Sequence, residues 1–378
     1  MITSFSFPTN IRFGTGAIQE LPAYLKDAGL GRPLLVTDPK VAELGFFRQI
    51  RDSLRQAGLS TEVFAHIHAN PIKSDVLAGR DAYRESQRDS IVGIGGGAAM
   101  DVARAIALSI HNTRELFDYD DLEGGDKYVT EPIPPFVTVP TTSGTGSEVG
   151  RSAIISEDDT KRKRILFHPS LMARQVFADP ALTFELPAPI TAATGMDALT
   201  HNMEAFLAKN YHPMADGIAL EGIRLIIHHL EKAVNQPDEA SRSAMMLGSM
   251  MGAVAFQKGL GVVHSLAHPL STLLDMHHGL ANAINLPYGM RFNLPGQEER
   301  FGRMAQVMGL STSNGTAVIE RLFQLNEAIG LPMRLRDAGV EEHHLPALAE
   351  LALRDFAHPN NPRPVKLEDF QALYREAF

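Results

Sequence analysis

The sequence contains no cysteine. That absence removes disulfides, iron–sulfur clusters and thiolate zinc sites together, so any bound metal must be held by nitrogen and oxygen donors. Long apolar runs are missing too: no stretch reaches the roughly 18 uninterrupted apolar residues that a membrane-spanning helix needs. The opening residues, "MITSFSFPTN", lack the basic segment and apolar run of a secretory leader. Positive charge is the minority, 35 Lys and Arg against 44 Asp and Glu for a formal net charge of −9, so the surface as a whole repels polyanions. The one concentrated basic run, "TKRKR" at 160–164, has the length of a solvated turn rather than a nucleic-acid stripe. Internal repeats and low-complexity tracts are absent. These absences point to a soluble, cytoplasmic protein with neither nucleic-acid nor membrane partners.

What is present is ordinary globular material, 44% hydrophobic and 21% charged over 378 residues, long enough to favour two domains over one core. Between Pro33 and about Leu182, short apolar runs read as strands: "PLLVTD" (33–38), "TEVFAH" (61–66), "SIVGIG" (90–95), "PFVTVP" (135–140), "SAIIS" (152–156) and "QVFADP" (175–180). Helical patterns lie between several of them, at 44–57 and 74–85. Such βαβα alternation predicts a mostly parallel, Rossmann-like sheet with helices on both faces. After Phe184 the texture becomes helix-period throughout, with segments near 189–208, 214–233, 239–256, 262–275 and 314–329. An α/β domain over 1–184 and an all-α domain over 185–378 is the economical division.

Three loops that follow strands suit a nucleotide. In "DSIVGIGGGAAMDVARAIAL" (89–108) a strand runs into Gly95, Gly96 and Gly97 and then a helix, a geometry that brings backbone N–H groups and the positive end of a helix dipole to a phosphate. A tight turn without ligand accounts for a lone glycine triplet almost as well. Asp38, at the end of "LLVTD", can accept hydrogen bonds from ribose hydroxyls, and its charge opposes a 2′-phosphate, favouring NAD over NADP. It precedes the glycines by more than fifty residues, whereas the usual fingerprint places the acid about 20 residues after them, so the connection differs from the ordinary Rossmann one. "VPTTSGTGSEVG" (139–150) offers Thr141, Thr142, Ser143, Thr145 and Ser147, which can wrap a phosphate or simply cap a helix.

In "GMDALTHNMEAF" (195–206), Asp197 and His201 stand four residues apart in an apolar segment, on one face of a helix. "GVVHSLAHPLSTLLDMHHGLANAI" (261–284) adds His264, His268, His277 and His278. A lone histidine on an apolar face is usually a satisfied core residue. Four of them with an aspartate, on helices expected to neighbour each other, would be costly to bury without a shared partner. One carboxylate and three imidazoles suit Fe²⁺, Zn²⁺ or another first-row divalent ion.

Taken in order, "GGGAAMD", "PTTSGTGSE", "GMDALTHNMEAF", "PMADGIALEGIRLI" and "GLGVVHSLAHPL…HHGLANAINLP" resemble the signatures of the iron-containing (group III) alcohol dehydrogenase family, relatives of lactaldehyde reductase and 1,3-propanediol dehydrogenase. The resemblance spans essentially the whole chain. It implies an N-terminal dinucleotide-binding α/β domain and a helical C-terminal domain, the dehydroquinate synthase-like architecture, with a catalytic metal in the cleft between them. By motif position the metal ligands fall on Asp197, His201, His264 and His278, the last chosen over His277 because it directly precedes the glycine. His268 matches a histidine near the nicotinamide, the candidate to relay or orient a proton. Contacts to NAD fall on Asp38, Asn70, Gly96, Gly97, Thr141, Thr142, Thr145 and Lys163, which gives the basic run a role without nucleic acid.

The implied reaction is metal-dependent, NAD(H)-linked interconversion of a small alcohol, diol or hydroxy acid with its aldehyde, by a homodimer or larger homo-oligomer. Two departures stand out. Ala98 replaces a frequent serine after the glycine triplet, and the stretch from Phe256 to His264 is one residue shorter than in lactaldehyde-reductase-like members. That stretch borders the substrate in the family, so their substrate preference does not transfer. The rivals are a metal-free reductase resembling maleylacetate reductase, a lyase resembling dehydroquinate synthase, and a catalytically silent nucleotide-binding protein.

Overall fold

The computed structural model describes residues 5–7 and 9–378. The chain divides into two compact units: Pro8–Thr142 with Ser147–Thr183, and Phe184–Phe378 with Ser143–Gly146 and the described part of the N-terminal segment.

The first unit is α/β. In chain order it holds β1 (Asn10–Phe13), α1 (Leu21–Asp27), β2 (Pro33–Val36), α2 (Pro39–Ala42), α3 (Gly45–Gln56), β3 (Glu62–Phe64), α4 (Lys73–Glu85), β4 (Ser90–Gly95), α5 (Gly97–His111), β5 (Phe136–Pro140), β6 (Ser152–Ser156), β7 (Lys163–Phe167) and β8 (Gln175–Ala178). Six strands form a parallel sheet in the order β1-β8-β5-β4-β2-β3. The continuous apolar runs of β2, β4, β5 and β8 are buried along their length, as strands covered on both faces must be. Alternation then sorts their residues. Leu34, Ile91 and Phe136 pack with Val102 and Ile106 of α5, whereas Leu35, Val92 and Val137 pack with Leu21 of α1 and Ile50 of α3.

Two features depart from the sequence reading. β1, "NIRF", is an exposed edge strand whose place comes from backbone pairing with β8 rather than from apolar alternation. The run at 152–156 leaves the parallel sheet altogether: it pairs antiparallel with β7, and the basic stretch at 160–164 is the connection that leads into β7.

The second unit is helical: α6 (Ala188–Leu207), α7 (Pro213–Asn235), α8 (Glu239–Ala255), α9 (Val262–Leu274), α10 (His278–Asn293), α11 (Glu298–Val307), α12 (Gly315–Ala328), α13 (Leu345–Leu353) and α14 (Leu367–Ala377). Buried Asn202 of α6 ties it to α8 by donating from Nδ2 to the Gly248 carbonyl at 2.9 Å. Glycines make the approach possible. A Cβ on Gly222 of α7 would overlap the Asn202 carboxamide, and one on Gly252 of α8 would stand 2.7 Å from its Nδ2. No single helix among the described residues is long and apolar enough to cross a membrane.

Candidate active site

The four donors that the resemblance singles out come together in the helical unit. Asp197 and His201 sit one turn apart on α6, His264 is in the first turn of α9, and His278 opens α10. One ligand atom from each lies within 4.8 Å of the others. The Nε2 atoms of His278, His201 and His264 stand 3.4, 3.8 and 3.9 Å from Asp197 Oδ1. Two donors on one tetrahedral ion at metal–ligand distances near 2.1 Å are roughly 3.4 Å apart. The spacing therefore fits a shared cation better than direct hydrogen bonds between the donors. Asp197, His201 and His264 are at most 5% exposed, a burial that polar groups tolerate only with partners.

The surrounding residues aim these donors. Glu204, a further turn along α6, accepts from His264 Nδ1 at 2.6 Å and from the backbone N–H groups of Val263 (2.6 Å) and His264 (3.2 Å). One carboxylate thus caps the start of α9 and holds the His264 proton on Nδ1, leaving the Nε2 lone pair toward Asp197. Gly261 permits the approach, since a Cβ there would be 2.9 Å from Glu204 Oε1 and 2.6 Å from Asn361 Oδ1. Burial alone would lower the His264 pKa, but the hydrogen bond and charge of Glu204 outweigh it and raise the value. For His201 burial wins over the pull of Asp197, and its pKa falls to about 4, so the ring is neutral near pH 7. Asn282 of α10 donates from Nδ2 to Asp197 Oδ1 at 2.7 Å and to His278 Nε2 at 3.1 Å.

The rings form a packed group. His201 stacks on His264 with centroids 4.8 Å apart, and Phe256 lies 5.2 Å from His201. The turn carrying Phe256 is anchored by buried Lys258, which donates to the Phe206 carbonyl at 2.8 Å and pairs with Asp216. His268 stands outside the four converging donors, with its Nδ1 2.7 Å from Asp355 Oδ2. His277 is exposed and outside the group as well.

In the α/β unit the glycine loop follows β4. Gly95 has φ 149°, a backbone that side chains rarely adopt, and Gly96 is the N-cap of α5 without a side-chain acceptor for its first N–H groups. That is the arrangement an anion can complete. β2 and β4 are adjacent in the sheet, which resolves the unusual spacing of Asp38. Asp38 Oδ1 caps α2, accepting from Lys40 and Val41 N–H at 3.0 Å each, while Oδ2 is 3.6 Å from where a Gly95 Cβ would stand. Thr141 N–H donates to the Gly95 carbonyl, and Thr142 lies against Gly96. Asp38, Gly96, Gly97, Thr141 and Thr142 therefore share one locality.

Exposed Asn70 and half-buried Lys163 belong to a second one: Ser156 pairs with Lys163 across β6 and β7 and donates its N–H to the Pro71 carbonyl. Thr145 falls in the segment that clusters with the helical unit. The sequence reading passed over Glu204, Asn282 and Asp355. Glu204 carried a usable signal, lying seven residues after Asp197 on the same helical face. Asn282 carried a local signal too, standing four residues after His278 on one helix, but it meets Asp197 across 85 residues of chain, and Asp355 meets His268 across 87 with no local pattern to mark it.

An α/β unit with an anion-ready glycine loop, and a helical unit with a four-donor cation site, define a class of metal-dependent, nucleotide-linked enzyme. Comparison with known proteins narrows the class. Residues 8–180 match the family described as iron-containing alcohol dehydrogenase, and residues 191–378 match the C-terminal part of the Fe-containing alcohol dehydrogenase family. The chain is 38% identical to 4-hydroxybutyrate dehydrogenase of Cupriavidus necator, covering 98% of each chain, and 34% identical to NAD-dependent methanol dehydrogenase of Bacillus methanolicus, covering 100% of each. A crystal structure of 1,3-propanediol oxidoreductase superposes with a TM-score of 0.95 at 35% identity over 100% of both chains. The chain belongs to the iron-containing alcohol dehydrogenase family.

Proposed function

We infer that this protein is an NAD(H)-linked alcohol dehydrogenase that interconverts a small primary alcohol, diol or hydroxy acid with its aldehyde, using a divalent cation held by Asp197, His201, His264 and His278. The observation that carries the reading is the convergence of one carboxylate oxygen and three imidazole nitrogens within 4.8 Å, at spacings suited to one ion. A cation bound there supplies Lewis acidity to the substrate oxygen, and NAD supplies the hydride acceptor. The protein's own part is positioning. Glu204 and Asn282 aim the donors, burial keeps His201 neutral, and Phe256 walls one side of the imidazole group.

For the nucleotide, Gly96 and Gly97 with the start of α5 suit the diphosphate, Asp38 keeps Oδ2 for ribose, and Thr141 and Thr142 adjoin the same loop. Asn70, Thr145 and Lys163 are further proposed contacts. His268 is the proposed proton-handling group. We place the enzyme in the cytoplasm, and as a homo-oligomer for which the exposed edge strand β1 offers a pairing surface.

The test is metal analysis of the purified protein coupled with NADH absorbance across short alcohols, diols, hydroxy acids and their aldehydes. His264→Ala should lose both metal and turnover. Retention of both by that variant would overturn the ligand assignment.

A further inference from the structure

Two of the residues that grip His268, Asp355 and Phe356, lie outside the four-donor group. The His268 Nδ1 lies 2.7 Å from Asp355 Oδ2. Its ring stacks on His278, with centroids 5.3 Å and planes 14° apart, and on Phe356, with centroids 5.3 Å and planes 27° apart. Asp355 and Phe356 are consecutive residues just after α13, so one short stretch of chain holds the imidazole by an edge and by a face. Asp355 is fixed in turn. Its Oδ1 accepts from Ser265 Oγ at 2.7 Å and from the Ala357 N–H at 2.9 Å, and Ser265 Oγ accepts from the His358 N–H at 2.9 Å.

A space-filling histidine would need no such chain of support. A carboxylate at Nδ1 keeps the ring proton there, which leaves Nε2 as an acceptor. Nε2 of His268 has no hydrogen-bond partner among the described residues, and the side chain remains 18% exposed. Phe356 is 41% exposed, so the ring covering His268 is itself open on its outer side.

We propose that the Asp355–Phe356 stretch is the positioning device of His268: it sets the ring plane and the Nδ1–H tautomer, so that Nε2 presents a lone pair to a hydroxyl hydrogen of the substrate. Asp355 and Phe356 are positioning residues acting through His268, and the inference rests on the dehydrogenase reading above. The logic is that of a buried acid orienting a histidine elsewhere in enzymology, where loss of the acid costs activity by imposing the wrong tautomer.

The test is Asp355→Asn in the zinc-loaded protein. Asparagine keeps an oxygen for Ser265 and Ala357 but turns an NH₂ toward His268 Nδ1. Long-range ¹H–¹⁵N spectra of ¹⁵N-histidine-labelled protein should show His268 moving from the Nδ1–H to the Nε2–H tautomer. Turnover should fall roughly 100-fold or more, the scale of a lost acid–base group, while metal content and NADH affinity stay within about twofold. An unchanged tautomer, unchanged turnover, or loss of metal in step with activity would each overturn the proposal.

Where Asp355→Asn fails to fold, Ser265→Ala removes the hydroxyl that donates to Asp355 and accepts from the His358 N–H, and should lower turnover with metal retained; wild-type turnover there overturns the proposal equally. If the wild-type enzyme forms NADH from none of the alcohols, the dehydrogenase reading falls, and the spectra alone then decide whether Asp355 sets the tautomer.

Discussion

Glu148 is a carboxylate with little room for its charge. It is 2% exposed, its Oε1 has no hydrogen-bond partner, and burial pushes its pKa up to about 7 against the pull of its own backbone N–H and of Arg104. An acid with a raised folded pKa holds a proton that the unfolded chain has already released, so its contribution is most favourable below the unfolded value of 4.5 and is lost as pH rises to about 7. At about 1.4 kcal/mol per pKa unit, the loss comes to roughly 3–4 kcal/mol. Glu148→Gln should therefore flatten the stability profile between those pH values and be more stable than wild type at pH 8. Denaturant midpoints at several pH values check this, and an unaltered slope would show that Glu148 titrates normally. Glu204→Gln should weaken metal binding roughly 10- to 100-fold, because one amide oxygen cannot accept from both the Val263 N–H and His264 Nδ1, where Glu204 uses its two oxygens. Chelator competition measures it, and affinity within twofold of wild type would mean that Glu204 serves only as a helix cap. Asp197 and His201 could be read from sequence because helical spacing shows them on one face. Asn282 was legible only in part: its spacing of four from His278 puts both on one helical face, but its contact with Asp197 exists only once α10 packs on α6.

At the scale of elements, α7 offers a paired test within one helix. A methyl group on Gly222 would overlap the Asn202 carboxamide that ties α6 to α8, whereas nothing lies within 4 Å of one on exposed Gly217. Gly222→Ala should destabilise by about 1–3 kcal/mol through overpacking. Gly217→Ala should stabilise by about 0.5–1 kcal/mol, since glycine inside a helix carries extra unfolded-state entropy. Thermal unfolding compares the two, and shifts of the same sign would contradict the packing described for Gly222. The same contrast explains which elements were legible. α7 and α9 have apolar faces that recur with helical period. α10 is buried almost all round and contains Pro287, so it has no polar face against which a period could be seen. β1 is exposed at all four positions and owes its place to hydrogen bonds with β8, which side-chain pattern does not report.

For the whole molecule, the succession of strand-and-helix texture followed by helix alone was visible because short apolar runs bounded by turn residues give way after Phe184 to long segments of 3.6-residue period. The four-donor group was only half visible, since its two parts meet through the packing of α6, α9 and α10. That packing buries Asp197, His201 and His264 with their donor atoms facing one another at spacings suited to one ion. Metal should consequently stabilise the fold as well as serve the reaction. A ligand bound only by the native state adds about 2.7 kcal/mol at 100 times its Kd and about 4.1 kcal/mol at 1,000 times. For a domain of roughly 150–250 residues each kcal/mol moves the midpoint by about 2–4 °C, so saturating metal should raise Tm by roughly 5–15 °C over chelator-treated protein. Re-addition of Fe²⁺ or Zn²⁺ should restore the higher midpoint, and the gain should shrink at acid pH as protons compete for the imidazoles. His264→Ala should be indifferent to chelator and metal alike. A wild-type midpoint that ignores metal, measured by calorimetry at saturating concentration, would mean that these four side chains do not share an ion.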